Sequence, residues 1–151
     1  MLDLPLGADP TVFVRLALAR GHCQLLNLSL SHYGDDWCEL TMPYAARLAG
    51  DTESGIIASG PIFALLDMAS GMSIGFANGA LKPRVTLDLR VDYLRPAKPG
   101  SAIIGRSHCY RRTKSVAFVR GFAHDGDAER PVAQMAGTFM FIEDTPETEQ
   151  P

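Results

Sequence analysis

Residues 55–81 read GIIASGPIFALLDMASGMSIGFANGAL and contain one charged side chain, Asp67. A segment that is apolar on nearly all sides predicts a helix buried on most of its faces, which we place at about 61–76. Pro61 suits the first helical turn, and Gly71 predicts the close approach of another backbone. The length also admits a membrane span, but five glycines within a strand-rich chain favour a core helix.

The segments on both sides of this helix have the two-residue apolar–polar period of half-buried strands. In the first strand after the helix, at 84–93, the odd-numbered residues are apolar and the even-numbered ones polar. The N-terminal part predicts a short helix that Asp9 caps and Gly21 ends. The predicted strands are 26–31, 38–42, 84–93, 101–111, 115–124 and 132–142, with a loop at 43–54.

This order of elements predicts an α+β fold. The four strands after the helix are predicted to form an antiparallel meander, and a long apolar helix buries itself only against their concave face. We therefore expect a roughly six-stranded antiparallel sheet wrapped around the central helix, as a single domain over 1–142. The acidic tail at 143–151 is predicted to be disordered. Bare edge strands predict pairing with a second copy of the chain.

Charge is unevenly distributed along the chain, whose net charge is −3. Ten of the 14 basic residues lie within 82–120, together with two acids. A local basic field on an acidic protein favours a small anionic ligand over a nucleic acid. The first ten residues carry no basic side chain, and the three cysteines are widely spaced. These features predict a cytoplasmic protein without a signal peptide, a disulfide, a metal or a cofactor.

Asp67 is the residue that most directly indicates chemistry. A carboxylate within an apolar helix is costly to bury, so it either has a function or is satisfied by a backbone N–H or an arginine. Gly60 lies just before the predicted helix, where free N–H groups stabilise a developing negative charge. Such groups and a carboxylate together can attack a carbonyl. Seven residues of helix span roughly 10 Å, so we predict that Gly60 and Asp67 of different subunits form one site.

Two segments resemble one known family. The segment Gly55–Gly71 resembles the helix-opening motif of PaaI-like hotdog-fold thioesterases, and Arg84–Ala97 resembles the strand that follows it. With the hairpin pattern up to Phe141, the resemblance extends over roughly 22–142.

The resemblance implies a homodimer, often a dimer of dimers, that hydrolyses acyl-CoA at the subunit interface. By position, Asp67 is implied to be the catalytic general base or nucleophile. Gly60 matches the glycine whose N–H holds the thioester oxygen. Thr86 matches a serine or threonine that orients the attacking water, although a plain strand threonine is the other interpretation.

The chain departs from the family pattern before the helix. Ala58 and Ser59 stand where the family has His-Gly, and Thr52 stands where it has an asparagine. Ser59 either donates to the oxyanion or caps the helix, and we favour the cap. Because His-Gly is absent, the alternative is a non-catalytic module that binds acyl-CoA or another acyl ligand as a sensor or accessory subunit. A hydratase ranks last, because the central helix carries no Asp/His pair.

Basic residues at one strand-to-strand turn fit a CoA ligand. Arg111, Arg112 and Lys114 can pair there with nucleotide phosphates, unless they only keep an exposed turn soluble. Phe63 is placed in the acyl pocket, unless it is plain core packing. The expected substrates are small aromatic or short-to-medium acyl groups.

Overall fold

The computed structural model describes residues 9–80 and 82–142 of the 151-residue chain. Six antiparallel strands form one sheet in the order β1-β2-β4-β5-β6-β3, and a long helix crosses one face of it. The predicted acidic tail at 143–151 lies outside the described residues. The elements are α1 (Pro10–Leu18), α2 (Gly21–Leu25), β1 (Ser29–Tyr33), β2 (Trp37–Met42), a 3-10 turn (Ala46–Leu48), α3 (Ser59–Asn78), β3 (Arg84–Tyr93), β4 (Ile103–Arg112), β5 (Val116–His124) and β6 (Ala133–Phe141).

Helix α3 forms the centre of the core, as its composition predicts. Leu65 and Leu66 are fully buried on α3, and they share one hydrophobic cluster with Leu40 of β2, Ile103 of β4 and Val119 of β5. Its length and composition would also suit a membrane span. Because the sheet covers this helix, the interpretation as a core helix is confirmed.

The N-terminal elements differ from the prediction at their ends. Asp9 caps α1 as predicted, and its carboxylate accepts a backbone N–H at 2.9 Å. The helix ends at Leu18, and the chain then forms a second short helix, Gly21–Leu25, which the sequence did not predict. Asn27 has a left-handed φ of 53°, which is incompatible with a strand, so β1 begins at Ser29 and not at residue 26.

A β-bulge changes the phase of β3. The register of β3 against β6 shifts between Thr86 and Asp88, so Leu87 is an extra residue. Before the bulge, Thr86 pairs with the buried Phe139 and therefore faces α3. Beyond it, the odd-numbered residues face α3. The regular alternation predicted for 84–93 is therefore wrong at its N-terminal end, where Val85 is exposed.

Strand β3 pairs with β6 and not with β4, so the predicted meander is wrong at its first connection. As a result β3 is one edge of the sheet, and β1 is the other. Val85 and Leu87 of β3 are 41% and 54% exposed, so this edge presents apolar side chains to solvent. An apolar edge strand with unpaired backbone groups is a surface on which a second chain pairs. The exposed apolar side chains of this edge are therefore compatible with the predicted dimer.

Candidate active site

The carboxylate of Asp67 is held by a hydroxyl group of β3. Thr86 donates a hydrogen bond from Oγ1 to Asp67 Oδ1 at 2.9 Å. Asp67 is half-buried, and Thr86 is exposed. Within residues 9–80 and 82–142, Asp67 has no ion-pair partner, so the alternative of an arginine pair does not apply there. The bulge is what turns Thr86 towards this carboxylate, because it puts the even-numbered residues before it on the α3 side.

One helical turn further along α3, Arg84 makes a second link between β3 and the helix. Its Nη2 donates to the carbonyl oxygen of Gly71, and its Nη1 donates to that of Lys82 at 2.9 Å. A Cβ on Gly71 would lie 3.3 Å from Nη2, so Gly71 admits a guanidinium and not the backbone that we predicted. Burial lowers the pKa of Arg84 to about 10, while Asp67 acts in the opposite direction. Arg84 therefore stays cationic at neutral pH beside the Asp67 carboxylate.

The N-terminus of α3 offers free backbone donors. The N-cap residue is Ala58, which makes no side-chain cap, and Ser59 is the first helical residue. The prediction that Ser59 caps the helix is therefore wrong. Gly60 is exposed, and apart from its chain neighbours and its own helix no atom of residues 9–80 and 82–142 lies within 4 Å of the position that a Cβ would occupy. Because N–H groups of the first turn have no partner inside the helix, the N–H of Gly60 is available to a ligand.

A cleft of about 340 Å³ opens beside this N-terminus. Tyr93 lies on its wall and donates from its hydroxyl to the carbonyl oxygen of Ser59 at 2.9 Å. Sequence reasoning missed Tyr93, because it looked like one more apolar residue of an alternating strand. Phe63 is 40% exposed and is not among the residues that line the cleft. The lining residues are Ile57, Ser59, Ile62, Tyr93, Leu94, Arg95, Pro96 and Ala97.

Two groups of candidate residues, which we call half-sites, thus lie along α3. Asp67 and Thr86 form the first, and Gly60 with Tyr93 forms the second. Within one chain they are separated by two helical turns, or roughly 10 Å. One carbonyl group cannot contact both of these groups within a single chain.

The predicted basic turn is divided between the two faces of the sheet. The register of β4 against β5 shifts between Cys109 and Arg111, which changes the phase of the strand. Arg112 pairs with the buried Ala117 and donates from Nη1 to Asn78 Oδ1 at the end of α3. Arg111 pairs with Phe118 on the opposite face. Lys114 is exposed in the turn. Only Arg112 of these three reaches the helix side.

An ion pair holds the loop that forms one wall of the cleft. The Arg95 guanidinium donates to the two carboxylate oxygens of Asp125 at 2.7 and 2.8 Å, and Lys98 N–H donates to the same carboxylate at 2.7 Å. These donors hold the pKa of Asp125 well below its usual range. The turn between β5 and β6 is thereby tied to the chain that follows β3.

We expect Asp125→Asn to make stability less dependent on pH. Because the folded-state pKa lies below the unfolded one, the pair stabilises fully above about pH 4 and loses this effect as the pH falls further. The urea midpoint of the variant should be lower at pH 7, and the gap to wild type should narrow as the pH falls towards 2. An equal gap at both pH values would contradict the role of the pair.

Solved structures with the same architecture define the class of this protein. A crystal structure of a Pseudomonas aeruginosa protein is 35% identical, with a TM-score of 0.80 over 89% of this chain and 100% of that one. The Escherichia coli PaaI protein from the phenylacetic acid degradation operon is 16% identical, with a TM-score of 0.75 over 89% and 94%. The chain is therefore a hotdog-fold protein, as predicted.

The family follows from the sequence comparisons. The model of the thioesterase superfamily matches residues 54–132, which include Gly60, Asp67 and Thr86. A medium/long-chain acyl-CoA thioesterase, YigI of Salmonella typhimurium, is 29% identical over 76% of this chain and 81% of its own length. The chain belongs to the thioesterase superfamily. It is a thioester hydrolase, and the predicted resemblance to hotdog-fold thioesterases is confirmed.

Proposed function

We propose that this protein hydrolyses acyl-CoA thioesters at a site shared by two subunits, with Asp67 as the general base. The observation that carries the proposal is the hydrogen bond from Thr86 to Oδ1 of Asp67, which orients the carboxylate and leaves Oδ2 for water. The relatives named medium/long-chain acyl-CoA thioesterase support acyl-CoA as the substrate class. We place the reaction in the cytoplasm, where acyl-CoA is made and used.

The proposed reaction needs no group beyond these residues and water. Asp67 takes a proton from a water molecule while the water oxygen adds to the thioester carbon. The carbonyl oxygen becomes an oxyanion, which accepts a hydrogen bond from the N–H of Gly60. The tetrahedral intermediate then collapses, the C–S bond breaks, and the leaving CoA thiolate takes up the proton that Asp67 holds, which restores the carboxylate. Direct attack by the same carboxylate is the alternative chemistry for Asp67.

The proposed dimer joins the two half-sites. If the β3 edges of two chains pair antiparallel about a twofold axis, their α3 helices also run antiparallel. The N-terminus of one helix, with Gly60, then lies beside the middle of the other, with Asp67. The exposed Val85 and Leu87 of the β3 edge support this pairing. We propose that two such dimers form the tetramer implied by the family resemblance.

The acyl group is proposed to enter the cleft beside the N-terminus of α3, whose walls include Ile57, Ile62 and Leu94. These apolar walls support an apolar acyl group, and we propose a small aromatic or short-to-medium one. The test is release of free thiol from a panel of aromatic and aliphatic acyl-CoAs, with wild type and Asp67→Ala compared. Turnover by wild type alone supports the proposal, and binding without turnover by wild type excludes it.

Because Arg111 and Arg112 lie on opposite faces of the sheet, their separate replacement tests where CoA binds. If the nucleotide phosphates lie on the helix side of the sheet, Arg112→Ala should raise KM for acyl-CoA about tenfold, with little change in kcat. Arg111→Ala, on the opposite face, is the matched control and should leave KM within about twofold. An equal effect of both variants would place the phosphates at the turn itself.

A further inference from the structure

We propose that Tyr93 is a positioning residue that orients and polarises the N–H of Gly60 through the peptide unit joining Ser59 to Gly60. The inference rests on the proposed function, in which that N–H holds the thioester oxygen. The starting observation is the hydrogen bond of 2.9 Å from the Tyr93 hydroxyl to the Ser59 carbonyl oxygen.

The carbonyl that Tyr93 contacts and the N–H of Gly60 belong to the same peptide group. This group is planar and trans, so its C=O and N–H point in opposite directions. A hydrogen bond that fixes the carbonyl therefore also fixes the direction of the N–H. Gly60 has no side chain, and Ala58 provides no side-chain cap. The Tyr93 hydroxyl therefore adds a contact from β3 to the helix's own hydrogen bonds at this peptide.

Donation to the carbonyl also strengthens the donor at the other end of the peptide. Hydrogen bonds in a chain polarise one another by roughly 10–30% each, so the Gly60 N–H becomes a better partner for an oxyanion. Partial burial raises the pKa of Tyr93, which keeps its hydroxyl protonated at neutral pH. The hydroxyl is therefore present as a donor when the thioester reacts.

The bulge in β3 is what allows one strand to serve both half-sites. Thr86 and Tyr93 are seven residues apart, and a regular strand would point them to opposite faces of the sheet. The extra residue at Leu87 changes the phase once between them, so both side chains reach α3. A single irregularity thus brings the Asp67 contact and the Ser59 contact onto the same face.

The kinetic test is Tyr93→Phe, which removes the hydroxyl and keeps the ring. One hydrogen bond of ordinary strength corresponds to about a 3- to 10-fold loss, which we expect in kcat with KM unchanged. Tyr110→Phe is the matched control, because Tyr110 is exposed to a similar extent, 49% against 46%, and lies outside both half-sites. Unchanged kcat in Tyr93→Phe would overturn the proposal.

A second measurement separates positioning from packing and from catalysis. The sequence contains three Ser–Gly peptides, which end at Gly55, Gly60 and Gly71. Labelling serine carbonyls with carbon-13 and glycine nitrogens with nitrogen-15 therefore gives three amide signals. In Tyr93→Phe the Gly60 signal should move to lower nitrogen-15 frequency, because the preceding carbonyl loses a donor, while the other two signals stay in place.

The kinetic measurement and the Gly60 signal distinguish failure of this inference from failure of the proposed function. A Gly60 signal that does not move would overturn the role of Tyr93, even if kcat falls. If wild type hydrolyses no acyl-CoA, the proposed function fails, while the Gly60 signal still reports whether Tyr93 controls that peptide.

Discussion

Asp67→Asn is expected to lower kcat for acyl-CoA hydrolysis by about 10²- to 10⁴-fold, the usual contribution of a general base. Asparagine has the same shape, and its side-chain oxygen can still accept the hydrogen bond from Thr86, so the local structure should persist. It cannot take a proton from water, so the chemical step alone is affected. The measurement is thiol release at saturating substrate, with KM expected to stay within about threefold.

Two further variants show whether this loss is specific. Asp88→Asn removes a carboxylate from the exposed side of the same strand and should leave kcat unchanged. Thr86→Val removes the hydroxyl that orients Asp67, and we expect a smaller loss of about tenfold. A fully active Asp67→Asn would exclude this carboxylate from the chemistry.

The elements of the fold could be predicted because composition and periodicity are strong signals here. One charged residue within 55–81 indicates a buried helix, and α3 extends only two residues beyond the predicted span at each end. Asp67 could be predicted as a candidate residue because burying a carboxylate within an apolar helix costs free energy. Its partner Thr86 was found through the family resemblance and not through the pattern of its strand.

The irregular features could not be predicted, because they arise from strand pairing and not from local sequence. The bulge at Leu87 has no turn residue or glycine to mark it, so the strand reads as a regular alternation. The same is true of β4, where the shift at Tyr110 decides which of the adjacent residues Arg111 and Arg112 faces the helix. Tyr93 was missed because its role depends on where the N-terminus of α3 lies in space.

Mixed dimers test whether Gly60 and Asp67 act across a subunit interface, as we propose. One chain would carry Asp67→Ala, and the other would carry Gly60→Pro, which removes the N–H. Proline is tolerated in the first turn of a helix, because the N–H there has no partner inside the helix. Each homodimer should lose about 10²-fold or more in kcat, since every site lacks either the base or the oxyanion donor.

The activity of the mixed dimer distinguishes a site shared between subunits from a site contained in a single chain. If the site is shared, one site receives Gly60 and Asp67 intact while the other loses both, so about half of the wild-type activity returns. If each chain forms its own site, both sites stay defective and no activity returns. The measurement is thiol release by mixed dimers isolated through two different affinity tags. A mixed dimer of Asp67→Ala with Asp67→Asn is the matched control and should remain inactive, because neither of its sites contains a carboxylate.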